Sequence, residues 1–380
     1  MLNRPWYKFY PANVPQEISA PAISIYEVLS QSTELHPDKI AVIDKDKDKD
    51  KDITYNELKI ATERFAASLY ANGFKKGDRL AIMLPNSIEY IIAFYAVQRL
   101  GGIVVQVNPM YQPSELDYIL ADSETKWFVS YQNQIPKLKQ TEFYNQLIVI
   151  IADGDRTIEN NLYKILENGN QHLPNVELDL ENDIAILQYT GGTTGKPKGV
   201  MITHKNVISN LIQNKALSIN STEDNPYERV MGIAPMFHAM GLTIMNTAIF
   251  RGGSFYIIRR FDLNLVVSSI RKFKPTIFSG SPTMYIALLN HPDLQADDLR
   301  SIKTFGSGSA PMSVELMNAF EAKTSSPISE SYGLSEATTM THKTPGVGIR
   351  KIGSIGIPVP STDCRIVDKE TGTIDVKLGE

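Results

Sequence analysis

Apolar and polar positions alternate between two periods along most of the chain. Leu58, Ala61, Phe65 and Leu69 recur at helical spacing behind Thr54-Tyr55-Asn56-Glu57, where Thr54 and Glu57 form a capping box, and Asn72-Gly73 ends the run. The pattern then predicts a strand over 79–84, a helix over 87–100 stopped by Gly101-Gly102, and a strand over 103–107. A helix over 113–122 and a strand over 126–130 repeat it. Short β-rich runs alternating with helices of this length favour parallel sheets covered on both faces.

The pattern fades over the polar stretch 160–183 and resumes at Ile184, which sets a subdomain boundary between 183 and 184. Further strands are expected over 184–189, 229–234, 255–258, 276–278, 302–305 and 328–332, mostly with helices between, as a second α/β layer of similar build. Residues 44–52 alternate Asp and Lys between two β-like runs, and the expectation there is an inserted hairpin with a solvated, mobile tip. The stretch 353–380 has short β runs and no helix. The expected fold class is therefore α/β: two doubly wound, mostly parallel sheets in units 1–183 and 184–352, with the beginning of a small β subdomain over 353–380.

At 380 residues and 42% hydrophobic, the chain can bury a large core. A net charge of -4 provides no broad positive field of the kind that grips nucleic acid, so an anionic ligand must be held by local cations. The single cysteine, Cys364, excludes an internal disulfide and a zinc cluster and fits a reducing cytoplasm. The opening residues lack the apolar stretch of a secretory signal, and the runs 88–97 and 239–250 are too short to span a bilayer. Cytoplasmic localisation is expected, with peripheral membrane contact if the substrate is greasy.

The most informative segment is Tyr189-Thr-Gly-Gly-Thr-Thr-Gly-Lys-Pro-Lys-Gly-Val200, a loop between two apolar β-like runs. Gly191, Gly192, Gly195 and Gly199 let backbone amides turn inward, Thr190, Thr193 and Thr194 add hydroxyls, and Lys196 and Lys198 add charge. That lining suits phosphates. A Walker A loop would need Ser or Thr after Gly-Lys and then a helix; here Pro197 follows Lys196 and the next residues read as strand, which predicts a flap instead.

These residues resemble the phosphate-binding signature of the adenylate-forming superfamily, which comprises acyl-CoA synthetases, luciferases and the adenylation domains of peptide synthetases. The resemblance covers the chain from about Ile25 to its end. Arg4-Pro-Trp-Tyr7 through Pro15, and Val104-Val-Gln-Val-Asn-Pro-Met-Tyr111, resemble bacterial long-chain fatty acid CoA ligases in particular. The implied reaction activates a fatty acid as its acyl-adenylate with ATP and Mg²⁺ and transfers it to CoA. A homodimer is compatible with that resemblance.

Glu330-Ser331-Tyr332-Gly333-Leu334-Ser335-Glu336 is similar to the second nucleotide signature. Tyr332 offers a face for adenine, Gly333 a tight turn and Ser335 a hydroxyl to phosphate. Glu336 supplies the carboxylate a magnesium ion needs, and the resemblance adds Thr190 as a nearby hydroxyl ligand. Ser309, Ala310 and Pro311 in 305–311 are candidates for nucleotide contact, although small residues before a helix also serve packing. Ala234-Pro-Met-Phe-His-Ala-Met-Gly241 resembles the acid-binding motif. It places Phe237 and His238 where carboxylate meets α-phosphate, and His238, Lys196 and Lys198 are the candidate catalytic groups. Gly241, Gly280 and Ser281 can line a tunnel that Met240, Met284 and Tyr285 narrow, and core packing explains all six equally well. His204 reads as a helix cap.

Carboxylate attack on the α-phosphorus joins two anions, and unit charges 4 Å apart repel by about 4 kcal/mol at an intermediate dielectric. Local cations and positioning must offset this. The superfamily completes its site with an aspartate in a Thr-Gly-Asp run and a lysine on a mobile C-terminal domain, and neither has a match here. Leu378-Gly-Glu380 resembles the motif just ahead of that aspartate, so a fragment with the fold, weak ATP binding and reduced catalysis is expected. An aryl- or medium-chain acyl-CoA ligase, an amino acid adenylation domain or a non-catalytic nucleotide-binding fragment remain alternatives. No aspartate near Phe237 to Met240 meets a substrate amine, which disfavours the amino acid activator.

Overall fold

The computed structural model describes residues 4–46, 49–168, 172–191, 195–218, 228–346 and 348–376. Gly192, Thr193 and Thr194 of the phosphate loop and the closing motif at 378–380 lie outside the described residues. In chain order the first elements are α1 (Ile25–Leu35), β1 (Ile40–Asp46), β2 (Lys49–Thr54), α2 (Tyr55–Ala71), β3 (Arg79–Met83) and α3 (Ile88–Arg99). Next come β4 (Ile103–Gln106), α4 (Pro113–Ser123), β5 (Trp127–Ser130), α5 (Ile135–Leu138), β6 (Ile148–Ile151), α6 (Leu162–Asn168), β7 (Ile184–Thr190) and β8 (Lys198–Thr203). They are followed by α7 (His204–Ala216), β9 (Arg229–Gly232), α8 (Ala239–Phe250), β10 (Ser254–Ile257), α9 (Leu263–Phe273) and β11 (Ile277–Gly280). The last are α10 (Pro282–Leu289), β12 (Thr304–Ser307), α11 (Val314–Thr324), β13 (Ile328–Gly333), β14 (Met340–Lys343) and β15 (Ile357–Pro358).

Two sheets result, with orders β6-β5-β3-β4-β7-β8 and β15-β14-β13-β12-β11-β9-β10-β1-β2. Pairing is parallel except for β1 with β2, β7 with β8, β13 with β14 and β14 with β15. The expected α/β class with two mostly parallel sheets is borne out. Local capping explains the helix starts: the Thr54 hydroxyl accepts from Glu57 N while Glu57 accepts from Thr54 N at 2.8 Å. Ser87 caps α3 through Tyr90 N. Helix α3 is apolar on nearly all sides and buried from Ile88 to Gln98, as a helix enclosed within the core must be. With α1, α2 and α8 it forms the continuous core that joins the two sheets.

Sheet membership does not follow the expected split at 183/184. β7 and β8 complete the same sheet as β3 to β6, whereas the β1–β2 hairpin pairs with β10 in the larger sheet. Two sequence-distant partners caused this: β4 takes β7 as its parallel neighbour, and β10 takes β1. The segment 353–376 supplies β15 to the edge of the larger sheet and an antiparallel bridge between Val367 and Asp375.

The tip of the charged hairpin, at 47–48, lies outside the described residues, but its base is less solvated than the composition suggests. Asp44 is 2% exposed and bidentate with Arg259, at 3.1 and 2.6 Å. Arg259 also donates to Tyr131 Oη at 2.7 Å, Tyr131 donates to Glu89, and Tyr163 donates to the other Glu89 oxygen. Lys51 lies 4.8 Å from the Tyr163 ring centre. His204 is not the cap of α7 either; Thr203 is, in a capping box with Asn206, and the buried His204 accepts from Ile25 N at Nδ1 (3.2 Å). Among the described residues, no helix is long and apolar enough to cross a membrane.

Candidate active site

The carboxyl ends of the parallel strands in both sheets carry the motif residues. This is where an open α/β sheet leaves a crevice. One side chain joins the sheets there. Asn86, just past β3, is 3% exposed and donates from Nδ2 to the carbonyls of Gly232 (3.2 Å), Ala234 (3.0 Å) and Ile258 (3.1 Å), while its Oδ1 accepts from Met236 N at 2.7 Å. Tyr90 Oη, 2.8 Å from Met236 O, and Gln188 Nε2, which donates to Phe237 O at 3.0 Å, hold the next two residues. The loop carrying Phe237 and His238 is thus tied to β7 of the flap hairpin. Neither Asn86 nor Gln188 was singled out from the sequence, where a Pro-Asn-Ser turn and a glutamine within an apolar strand carry no such signal.

His238 stands at the N-cap of α8 with its ring open to solvent and 4.5 Å from that of Phe237. Partial enclosure by protein lowers its pKa below the ordinary imidazole value, which keeps the ring neutral at pH 7 with a single N–H to donate. Gly241 has no room for a side chain, since a Cβ would fall 2.1 Å from Pro235 O. Its service is close backbone approach.

The nucleotide candidates sit side by side. β12 and β13 pair in parallel with Ser307 opposite Glu330, so the segments 308–311 and 331–333 leave the sheet together. Ser309 takes the left-handed conformation (φ 68°), and Ser309, Ala310 and Pro311 are exposed. Glu330 is buried and accepts from Met312 N at 3.2 Å through one oxygen, so it braces the 309–311 loop from behind. Ser331 donates to Ser307 O at 3.2 Å. Tyr332 is 48% exposed and edge-on to His342, leaving a ring face for a planar base. At Gly333 a Cβ would lie 1.5 Å from Thr339 O, so the turn beside Tyr332 admits only glycine.

β7 and β8 form an antiparallel hairpin with Thr190 opposite Lys198, as expected for a flap between strands. Gly195 has φ 119°, Lys196 and Lys198 are exposed, and Lys196 Nζ lies 5.5 Å from the Tyr118 ring centre. Glu336 is exposed in the short turn Ser335–Ala337, which packs against β8. It borders a cavity of about 250 Å³ whose far wall is Met201 and Ile202 of β8 and Asn206 and Asn210 of α7. Among the described residues no group of three or more His, Cys, Asp or Glu side chains can hold a metal. A carboxylate such as Glu336 opposite a hydroxyl-bearing hairpin fits Mg²⁺, which takes one or two carboxylates and completes its shell with substrate phosphates.

A second cavity, of about 140 Å³, runs between α8 and the larger sheet. Met240, Thr243, Ile244 and Thr247 line it at the i, i+3, i+4, i+7 spacing of one helix face. Ser279, Gly306 and Ser331 form its end beside the nucleotide loop, and Ser309 Oγ is 3.1 Å from Met240 Sδ. Of the six tunnel candidates only Met240 lines this space. Tyr285 is fully buried among Phe278, Phe305 and Phe320, Met284 packs on that core and against Gly280, and Ser281 stands at the start of α10 with its hydroxyl 2.8 Å from Thr283 Oγ1. Threonines on a helix face opposite small strand residues carry no tunnel signal until the sheet order is known.

A hairpin lid, an exposed tyrosine face and a carboxylate at one crevice, with an apolar cavity leading away, define an enzyme that brings a nucleotide to a second, partly apolar substrate. The AMP-binding enzyme family matches residues 29–380, and the chain belongs to that family. It is 38% identical over 400 residues to a long-chain fatty-acid CoA ligase of Bacillus subtilis strain 168, covering 98% of this chain and 70% of that protein. A long-chain fatty-acid CoA ligase of Yersinia pestis is 32% identical, with 100% and 72% covered. Among solved structures, a long-chain fatty-acid CoA ligase from Archaeoglobus fulgidus superposes with TM-score 0.86 at 26% identity, covering 98% of this chain and 76% of that one. ATP-bound MatB from Rhodopseudomonas palustris superposes with TM-score 0.82 at 27% identity, covering 94% and 69%. The resemblance read from the phosphate loop is borne out.

Proposed function

We propose that the chain activates a long-chain fatty acid with ATP as its acyl-adenylate and passes the acyl group to CoA. The observation that carries this reading is the convergence of three motifs: β8 faces Glu336, β7 holds Phe237 through Gln188, and Ser309 meets Met240 at the mouth of the apolar cavity. The acid's tail lies in that cavity and its carboxylate emerges beside His238. Adenine rests on Tyr332 between it and the loop of Ser309, Ala310 and Pro311.

In the reaction a carboxylate oxygen bonds to the α-phosphorus as the bond to the pyrophosphate oxygen breaks, and the CoA sulfur later displaces AMP from the acyl carbon. Lys196, Lys198 and the hairpin's amides and hydroxyls, with Thr190, Gly191 and Gly195 at its described base, offset the charge on the triphosphate. The neutral His238 donates its N–H to an oxygen of the reacting pair, and Ser335 donates to phosphate. Glu336, with the Thr190 hydroxyl, would hold Mg²⁺, which would supply charge neutralisation at the phosphate oxygens. The relatives' names support the long-chain acid, and such an acid brings the chain to membrane surfaces peripherally.

Calorimetric titration of ATP with and without Mg²⁺, followed by palmitate-dependent exchange of labelled pyrophosphate into ATP, tests the reading. Glu336→Gln is expected to abolish the Mg²⁺-dependent part of ATP binding and to cut exchange at least tenfold while palmitate binding persists. Unchanged Mg²⁺ dependence in that variant would remove the metal assignment.

A further inference from the structure

The inner end of the acyl cavity is polar. Glu228, Arg251 and Lys343 line it together with Ser218 and Asn214. Lys343 Nζ donates to Asn214 Oδ1 (2.9 Å) and Ser218 Oγ (3.1 Å), and Arg251 pairs with Glu228 at 2.9 Å and donates to Ser218 at 3.0 Å. These bonds leave capacity over. An ammonium has three protons and Lys343 uses two. Glu228 is 8% exposed, yet its Oε2 has no hydrogen-bond partner, and neither has Nε of Arg251 nor Oγ1 of Thr247 on the adjoining face of α8. An apolar tail that ended here would leave a buried acceptor and buried donors unsatisfied, which disfavours it.

A hydroxyl matches that vacancy in both senses, accepting from Lys343 and donating to Glu228. We infer that the cavity selects an acid whose tail carries a terminal hydroxyl, bound between Lys343 Nζ and Glu228 Oε2. Thr276, just before β11, and Ser279 near the nucleotide loop both line the cavity three residues apart, about 10 Å at the rise of a strand. An extended chain advances about 1.2 Å per bond, so roughly eight carbons lie below the mouth. Burial, with Arg251 adding to it, holds the Lys343 pKa down to about 7. Below that pH Lys343 is an ammonium whose third proton is available to the hydroxyl, and the contact weakens as pH rises through 7.

The inference rests on the reading of this cavity as the acyl site and narrows it. The test is calorimetric titration of the chain, with ATP and Mg²⁺ present, using paired n-alkanoic and ω-hydroxyalkanoic acids of about ten to sixteen carbons. At one chain length the hydroxy acid is expected to bind at least tenfold tighter than its parent acid. The ratio should fall towards one in Lys343→Met and in Glu228→Gln, the second of which keeps the side-chain shape. Equal or tighter binding of the plain acid at every length would overturn the hydroxyl assignment while leaving the acyl site intact. Binding of neither series would overturn the acyl-site reading and this inference with it.

Discussion

Asn86 holds both sheets and the acid loop through one amide, and Asn86→Ala is the substitution whose cost follows most directly from the structure. Removing the side chain leaves Met236 N–H without its 2.7 Å acceptor inside the core. Gly232 O keeps a bond from Ile258 N at 3.0 Å, so it suffers least. One buried orphan N–H costs about 1–3 kcal/mol, and weakened carbonyls at Ala234 and Ile258 add a comparable amount, for a total of about 2–6 kcal/mol. Urea denaturation followed by tryptophan fluorescence measures this as a lower midpoint at unchanged slope. The near-isosteric Asn86→Asp separates hydrogen bonding from filling: its carboxylate would face three carbonyl oxygens and should be more harmful than alanine. Acid binding should weaken in both variants, because Met236 and Phe237 belong to the loop that Asn86 anchors. A change below about 0.5 kcal/mol for alanine, or an aspartate variant milder than alanine, would refute the reasoning.

Other outcomes follow from the same physics. Burial lowers the His204 pKa from 6.5 to about 4, so its contribution to stability is intact above pH 6.5 and lost as pH falls towards 4, on the order of 3 kcal/mol in all. His204→Gln should flatten that acid limb in equilibrium unfolding, and an unchanged pH profile would contradict the assignment. Arg259→Ala leaves Asp44 buried and unpaired and should cost about 3–5 kcal/mol, with the double variant Asp44→Asn, Arg259→Met much milder; additive single effects in a denaturation cycle would argue otherwise. Gly333→Ala forces Thr339 O aside and should abolish ATP binding with a near-native circular dichroism spectrum, so retained nucleotide affinity would count against Tyr332 as the adenine platform.

What was legible in the sequence was local. The capping box at Thr54 and Glu57, the flap that Pro197 keeps from becoming a helix, and the glycine turn after Tyr332 depend on residues within a few positions of one another. What escaped was made by distant partners. Asp44 belongs to a run that looks solvated, and Arg259, 215 positions away, supplies the bidentate partner that permits its burial. The cavity beside α8 draws on α8 and on strands β9 and β11 to β14, so its lining has no motif, and of the glycines read as tunnel candidates Gly241 meets the Pro235 carbonyl and Gly280 the Met284 side chain. β7 joined the first sheet because β4, not a later strand, offered its parallel edge.

The central claim is that the hairpin of β7 and β8 closes a triphosphate against a magnesium-bearing carboxylate. A crystal structure of the chain with ATP and Mg²⁺ tests it directly. The predicted result is adenine on the Tyr332 ring, phosphates beside Thr190, Lys196 and Lys198, and the ion about 2.1 Å from a Glu336 oxygen. Nucleotide bound elsewhere, or an ion held away from Glu336, would contradict it.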